Sequence, residues 1–189
     1  MLTRREFLRA GGVALAGLSV PSTSRVALLH TSREAQAVEI RMRSDKLGTR
    51  VWFDPIGVYI ESGQTVRWIV SENVHTTSAY HPRNSNHSLR IPPNATPWDS
   101  GFLSPGEHFE LKLAVQGVYD YYCMPHEEAG MVGRIIVGKP TGPGAMPFDY
   151  YRGKPGTKNW RPVPPAARKA FPSIEQIMQE RIVRLNWTT

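Results

Sequence analysis

The sequence predicts an all-β sandwich, and three observations carry that expectation. Between residues 38 and 139, short alternating or apolar runs recur with Gly, Pro, Asn and Ser turn signals between them, the spacing of sandwich or barrel strands. With 40% hydrophobic residues and five Trp, the 189-residue chain can bury a core of one domain plus extensions. No run of 18 or more apolar residues exists, so a conventional membrane-spanning helix is not expected.

Taken in order, Val38-Glu39-Ile40-Arg41-Met42-Arg43 alternates as a half-buried strand does. Arg50-Val51-Trp52-Phe53-Asp54-Pro55 leads into Gly57-Val58-Tyr59-Ile60-Glu61, and Ser62-Gly63-Gln64 turns the chain. Thr65-Val66-Arg67-Trp68-Ile69-Val70 is β-branched and aromatic. A longer segment, Ser71 to Pro105, is rich in Pro and Asn and holds His75, His81 and His87. Ordered loops of this length are usually functional. Within it, Trp98 to Leu103 reads as a short ordered return. His108 to Leu113 alternates again, Gly117 precedes a strand over Tyr119–Cys123, and Gly133 to Val137 begins the last strand of this part. No internal repeat is evident.

From Lys139 to Pro165 the chain reads as a Gly/Pro-rich linker with almost no hydrophobic period. Ser173-Ile174-Glu175-Gln176 then fits a capping box that opens a short helix. Ile174, Ile177, Met178, Ile182 and Leu185 fall on one face of it, predicting a helix packed on its own domain, with a docking or oligomer contact as the alternative.

The formal charge of +7 is unevenly spread. Residues 38–139 carry 10 Lys+Arg against 11 Asp+Glu, whereas residues 140–189 carry 8 against 3. The compact part is therefore not a basic nucleic-acid binder. At the N-terminus, Thr3-Arg4-Arg5-Glu6-Phe7-Leu8 precedes a mildly apolar stretch, which resembles a twin-arginine (Tat) export signal. Ala35-Gln36-Ala37 fits a small-residue cleavage site, so residues 1–37 are expected to be signal peptide and the location periplasmic or otherwise extracytoplasmic. Membrane contact is expected only if that N-terminus stays uncleaved.

The chemistry concentrates in Tyr121-Tyr122-Cys123-Met124-Pro125-His126-Glu127-Glu128-Ala129-Gly130-Met131. Cys123 is the only cysteine, His126 follows at three positions and Met131 five later. With six His and six Met in the chain, a Cys meeting both at these offsets by chance is roughly a 1 in 1000 event. A thiolate, an imidazole and a thioether are soft ligands, suited to copper or zinc rather than magnesium or calcium. An exported lone thiol would oxidise if exposed, and metal ligation is a reason to keep one. Pro125 has no N–H for a ladder, so the strand should stop near Met124, placing His126 on a turn with Cys123 and Met131 at its two feet. The fourth ligand should come from another strand end. His75, directly after the Thr65–Val70 strand, is the best candidate, and His81 is its competitor.

These residues resemble the plastocyanin-like cupredoxins, a group that includes plastocyanin, pseudoazurin, amicyanin and halocyanin. The likeness rests on Phe53-Asp54-Pro55 with Val58, on Gly63-Gln64-Thr65-Val66-Arg67-Trp68, on His75, on Asp99-Ser100-Gly101, on Gly106-Glu107-His108-Phe109, and on the Tyr121–Gly133 loop. It covers roughly residues 38–138 as a cupredoxin domain, leaving 139–189 as linker and C-terminal helix. It implies a Greek-key β-sandwich with one type 1 blue copper per chain, held by His75, Cys123 and His126 with Met131 as the long axial ligand. Two departures stand out. Thr76 stands where members often have Asn bonding toward the cysteine sulfur, which puts that bond in question. His81 and His87 lie outside the pattern and are expected to be solvated loop residues.

The resemblance implies single-electron transfer by Cu(I)/Cu(II) cycling rather than catalysis, because the thioether leaves no open position for substrate. A redox protein, such as a cytochrome or an oxidoreductase, would dock at the His126 edge. Met124, Pro125, Ala129, Gly130 and Val132 would form an apolar patch there, flanked by the charges of Glu127 and Glu128. The alternatives are a copper carrier or storage module, in which His81 and His87 add sites, and an electron-transfer subunit of a larger oxidoreductase.

Overall fold

A computed structural model describes residues 36–186. The export signal expected over residues 1–37 lies, but for its last two residues, outside that range. In chain order the strands are β1 (Val38–Ser44), β2 (Val51–Asp54), β3 (Gly57–Ile60), β4 (Gln64–Val70), β5 (Ser78–Ala79), β6 (His108–Leu113), β7 (Gly117–Tyr122), β8 (Val132–Val137) and β9 (Ile182–Val183). They form two sheets, ordered β2-β1-β4-β6 and β5-β7-β8-β3-β9. The chain crosses between sheets, so β1 and β4 pair in parallel, as do β3 and β8, while the remaining neighbours are antiparallel.

The all-β expectation holds, because alternation put one apolar face on each strand and the two faces had to close on each other. The core between the sheets gathers Ile40, Met42, Phe53, Val66, Trp68, Tyr119, Tyr121, Cys123 and Ile135, all 1% exposed or less. Tyr121 meets Phe53 and Trp68 edge-on, at ring-centroid distances of 4.7 and 5.5 Å. Such aromatic pairs add to the stability that burial alone supplies.

The middle of the second sheet is buried on both faces, since every residue of β7 and β8 is buried. What covers its outer face is the segment after residue 138. Ile177 and Val183 close over Val118 and Ile136, and Val163 and Ala167 close over Tyr122 and Val132. The stretch that reads as a linker thus lies along the sandwich. Its 3-10 turn Pro143–Ala145 holds Gly144 so close to Val118 and Arg90 that a Cβ there would stand 2.7 Å from both carbonyl oxygens.

Two short helices follow, α1 (Pro165–Ala170) and α2 (Ile174–Glu180). The Ser173 side chain caps α2 by accepting from Gln176 N at 3.0 Å, as the capping box requires. The helix stops at Glu180, short of the run to Leu185 that its apolar period suggested, and Ile182–Val183 instead add β9 to the sheet edge beside β3. Ile177 is fully buried, whereas Ile182 is 52% exposed.

Asp120 ties this covering to the sheet. Buried in β7, it accepts from Arg90 Nε at 2.7 Å and from Arg134 Nε at 2.7 Å. Those arginines donate onward to the carbonyls of Gly144 and of Pro172, both at 2.8 Å. A buried charge is tolerated only when it is paired and hydrogen-bonded in this way.

Candidate metal centre

The site is built at one end of the sandwich from two loops. His75 lies just past β4 and is pinned by a two-way backbone pair with Leu103, donating at 3.1 Å and accepting at 2.9 Å. Cys123 follows β7 directly. Pro125 ends the ladder and opens a 3-10 turn over Met124–Ala129, which Gly130 closes with φ +85°, a left-handed conformation suited to glycine. His126 N donates to Cys123 O at 3.0 Å, Met131 N to His126 O at 3.1 Å, and Cys123 N to Met131 O at 3.0 Å. These three backbone bonds fold Cys123, His126 and Met131 into one closed loop, as the spacing predicted.

The ligand atoms converge. His75 Nδ1 and His126 Nδ1 stand 3.2 Å apart, and Cys123 Sγ lies 3.6 Å from the first and 3.3 Å from the second. The centre of a triangle with such sides is about 2 Å from each corner, close to a metal–imidazole bond length. Among the described residues these three form the sole cluster of three His, Cys, Asp or Glu placed to hold a metal ion. Met131 is fully buried beside Cys123 in the core and so sits under the same loop.

Electrostatics fits a cation here. Burial, reinforced by His126, holds the His75 imidazole down at about 4, and burial lowers His126 as well, so both rings are neutral donors at neutral pH. Burial pushes the Cys123 thiol up to about 11, against the opposing pull of its Thr76 hydrogen bonds. A metal ion held by His75, Cys123 and His126 would replace that thiol proton and supply the positive charge this buried pocket otherwise lacks.

Thr76 supplies the contact that the absence of Asn put in question. Its backbone N–H donates to Cys123 Sγ at 3.3 Å. Its hydroxyl accepts from Met124 N at 2.7 Å, fastening the residue after His75 to the residue after Cys123. The bond to sulfur comes from the main chain, so the side-chain exchange leaves it in place.

Two expectations change, those for His87 and Glu127. His81 stays outside the cluster, half-buried, with its Nδ1 accepting from Arg83 N at 3.0 Å. His87 is buried rather than solvated, its Nε2 2.9 Å from Glu127 Oε2 and its Nδ1 2.7 Å from Asn84 O and 3.1 Å from Tyr122 Oη. Glu127 is likewise buried and accepts from the Tyr80 hydroxyl at 2.7 Å, so it places no charge on the surface, whereas Glu128 is exposed. Burial, with the Glu127 charge second, raises both the Tyr80 and Tyr122 hydroxyls well above their usual range, keeping them protonated. Sequence reasoning missed this network because a Glu in a loop beside a second Glu reads as solvated.

The surface around His126 is apolar but differs in membership. Val132 is buried under the extension, while Val74, Phe102 and Met124 are 45%, 62% and 43% exposed. Phe102 and Val74 flank the Leu103–His75 pair.

Fold and site together define a small β-sandwich protein in which a largely buried His75, Cys123 and His126 cluster could hold a metal ion. Residues 38–138 match the family of copper binding proteins of the plastocyanin/azurin type. The chloroplast plastocyanin of Tetradesmus obliquus is 32% identical over 134 residues, covering 68% of this chain and 79% of that protein. A Synechococcus plastocyanin is 30% identical over 141 residues, covering 69% and 86%. Among solved structures, a Sinorhizobium pseudoazurin shares the fold with a TM-score of 0.53 at 23% identity, covering 76% of this chain and 94% of that one. The chain belongs to the plastocyanin/azurin family of copper-binding proteins, copper is its cofactor, and the family is one of electron carriers rather than enzymes.

Proposed function

We propose that this protein is exported by the Tat route and shuttles single electrons between redox partners, with His75, Cys123, His126 and Met131 holding one copper. The observation that carries the reading is the triangle of His75 Nδ1, His126 Nδ1 and Cys123 Sγ with sides of 3.2 to 3.6 Å in a buried pocket. Copper bound there supplies reversible one-electron chemistry between Cu(I) and Cu(II). The chain's own residues do the rest. Thr76 N–H steadies the sulfur, the Cys123–Met131 loop fixes His126, and the buried walls exclude water. Because the loop is cross-tied by backbone bonds, it would hold Cys123, His126 and Met131 nearly still through a change of oxidation state, which would keep transfer fast. His126 is half-buried and breaks the surface amid Val74, Phe102 and Met124, which supports an exit for the electron across a small, quickly separating interface.

The test is the visible spectrum of the protein lacking residues 1–37 after addition of Cu(II). One copper per chain, an intense blue thiolate band and its bleaching by a mild reductant are expected. Cys123→Ser removes the band in this reading; a variant that stays blue would rule out the thiolate ligand.

A further inference from the structure

The family match ends at residue 138, so it does not account for the charge that follows. Residues 149–169 hold six cations, Arg152, Lys154, Lys158, Arg161, Arg168 and Lys169, against the single acid Asp149. Five of the six are exposed and Arg168 is half-buried. None of the six is in an ion pair among the described residues. Four of them line a cleft of about 570 Å³ walled by Phe148, Tyr151 and Trp160. Two neighbouring rings hold one of these charges, Lys154 Nζ lying 3.1 Å from the Tyr150 ring centroid and 5.4 Å from that of Tyr151.

Helix α1 carries the strip to the metal loop. A Cβ on Gly130 would lie 3.4 Å from Ala166 O and 3.5 Å from Ala170 Cβ, so α1 rests on the turn that follows His126. Lys169, exposed on α1, stands next to that contact, and Arg168 leads round into the cleft. Because Glu127 is buried, Glu128 is the one exposed acid on the His126 turn.

We infer that the His126 edge and this basic strip form one docking surface for an acidic redox protein, an inference that rests on the electron-transfer reading above. A six-residue helix is only about 9 Å long. A typical footprint of about 800 Å² per partner therefore spans the apolar edge and the cations together. Apolar contact at His126 sets the electron path, while the strip attracts and orients the acidic face from a distance. The cleft is concave and receives protruding carboxylate side chains, which a flat bilayer surface does not offer.

The experiment uses the copper-loaded, oxidised protein in stopped flow against two reduced haem proteins, acidic cytochrome b5 and basic cytochrome c. In each reaction one electron leaves Fe(II), giving Fe(III), and reduces Cu(II) to Cu(I). The b5 rate constant is expected to fall roughly tenfold as salt rises from about 10 to about 300 mM, while the screening length shrinks. The triple change Arg152→Glu, Lys158→Glu, Lys169→Glu, all at exposed cations that are not ligands, lowers the low-salt b5 rate roughly tenfold and speeds the cytochrome c reaction. Its blue spectrum stays that of the parent, which shows an intact site. Equal b5 rates for parent and variant at low salt overturn the inference. So does salt-sensitive co-sedimentation with phosphatidylserine vesicles that the triple change abolishes while b5 rates stand, which assigns the strip to a lipid surface. If the blue parent protein takes no electron from either haem protein, the electron-transfer reading itself falls, a result distinct from equal rates.

Discussion

Glu127 sits one residue after His126, yet its carboxylate turns inward to accept the Tyr80 hydroxyl at 2.7 Å and to meet His87 Nε2 at 2.9 Å. His87 in turn contacts Tyr122, the neighbour of Cys123. One buried cluster therefore braces both chain segments that present ligands from the Cys123–Met131 loop. A carboxylate in so dry a place is stabilising only while its partners remain, and removing it strands two buried polar groups. Glu127→Gln keeps the shape and removes the charged acceptor. It is expected to lower the unfolding free energy of the metal-free protein by about 1–3 kcal/mol in denaturant titration. Tyr80→Phe made in the Glu127→Gln background is then expected to cost less than Tyr80→Phe made in the parent. Strict additivity of the two changes would mean that the pair is not coupled.

At the scale of elements, α2 shows how a short helix is held by one side chain. Seven residues are too few for a helix to persist in water on propensity alone, so packing must hold it. Ile177 supplies that packing by entering the space above Gly57 of β3, where any Cβ would stand 2.8 Å from its side chain. Ile177→Ala is expected to cost about 2–5 kcal/mol, read as a lower thermal midpoint with the blue spectrum retained, since Ile177 is none of the four proposed ligands. An unchanged midpoint would show that α2 contributes nothing to stability. The helix start was legible in the sequence because Ser173 and the Ile174–Ile177 spacing are local signals. Its end was not, because Ile182 and Val183 find backbone partners in Gly57 and Val58, more than a hundred residues earlier. The same contrast runs through the site. Cys123, His126 and Met131 could be read from spacing, and His75 from its place after a strand. The buried His87 and Asp120 could not, since their partners Glu127, Arg90 and Arg134 are 14 to 40 residues away.

For the whole molecule, the consequence is that the sandwich has a second core outside its first. In a two-sheet sandwich the outer faces normally meet water and alternate with polar residues. Here Val118, Tyr122, Val132 and Ile136 point away from the central core and are 2% exposed or less. Asp120 lies on the same outward register, and its two arginines reach for carbonyls at Gly144 and Pro172. Residues 140–186 are thus an integral layer, although their composition reads as a linker. A chain ending at Lys139 would keep all four proposed ligands but expose this apolar face together with the Asp120 cluster, whose charges then lose part of their hydrogen bonding. Such a chain is expected to aggregate in size-exclusion chromatography, or to melt well below the full-length protein, and to lose copper on gel filtration as the loop under α1 loosens. A truncated chain that is monomeric, blue and equally heat-stable would instead make the extension an appendage. In that case the sandwich residues would have to tolerate in water a face whose side chains are those of an interior.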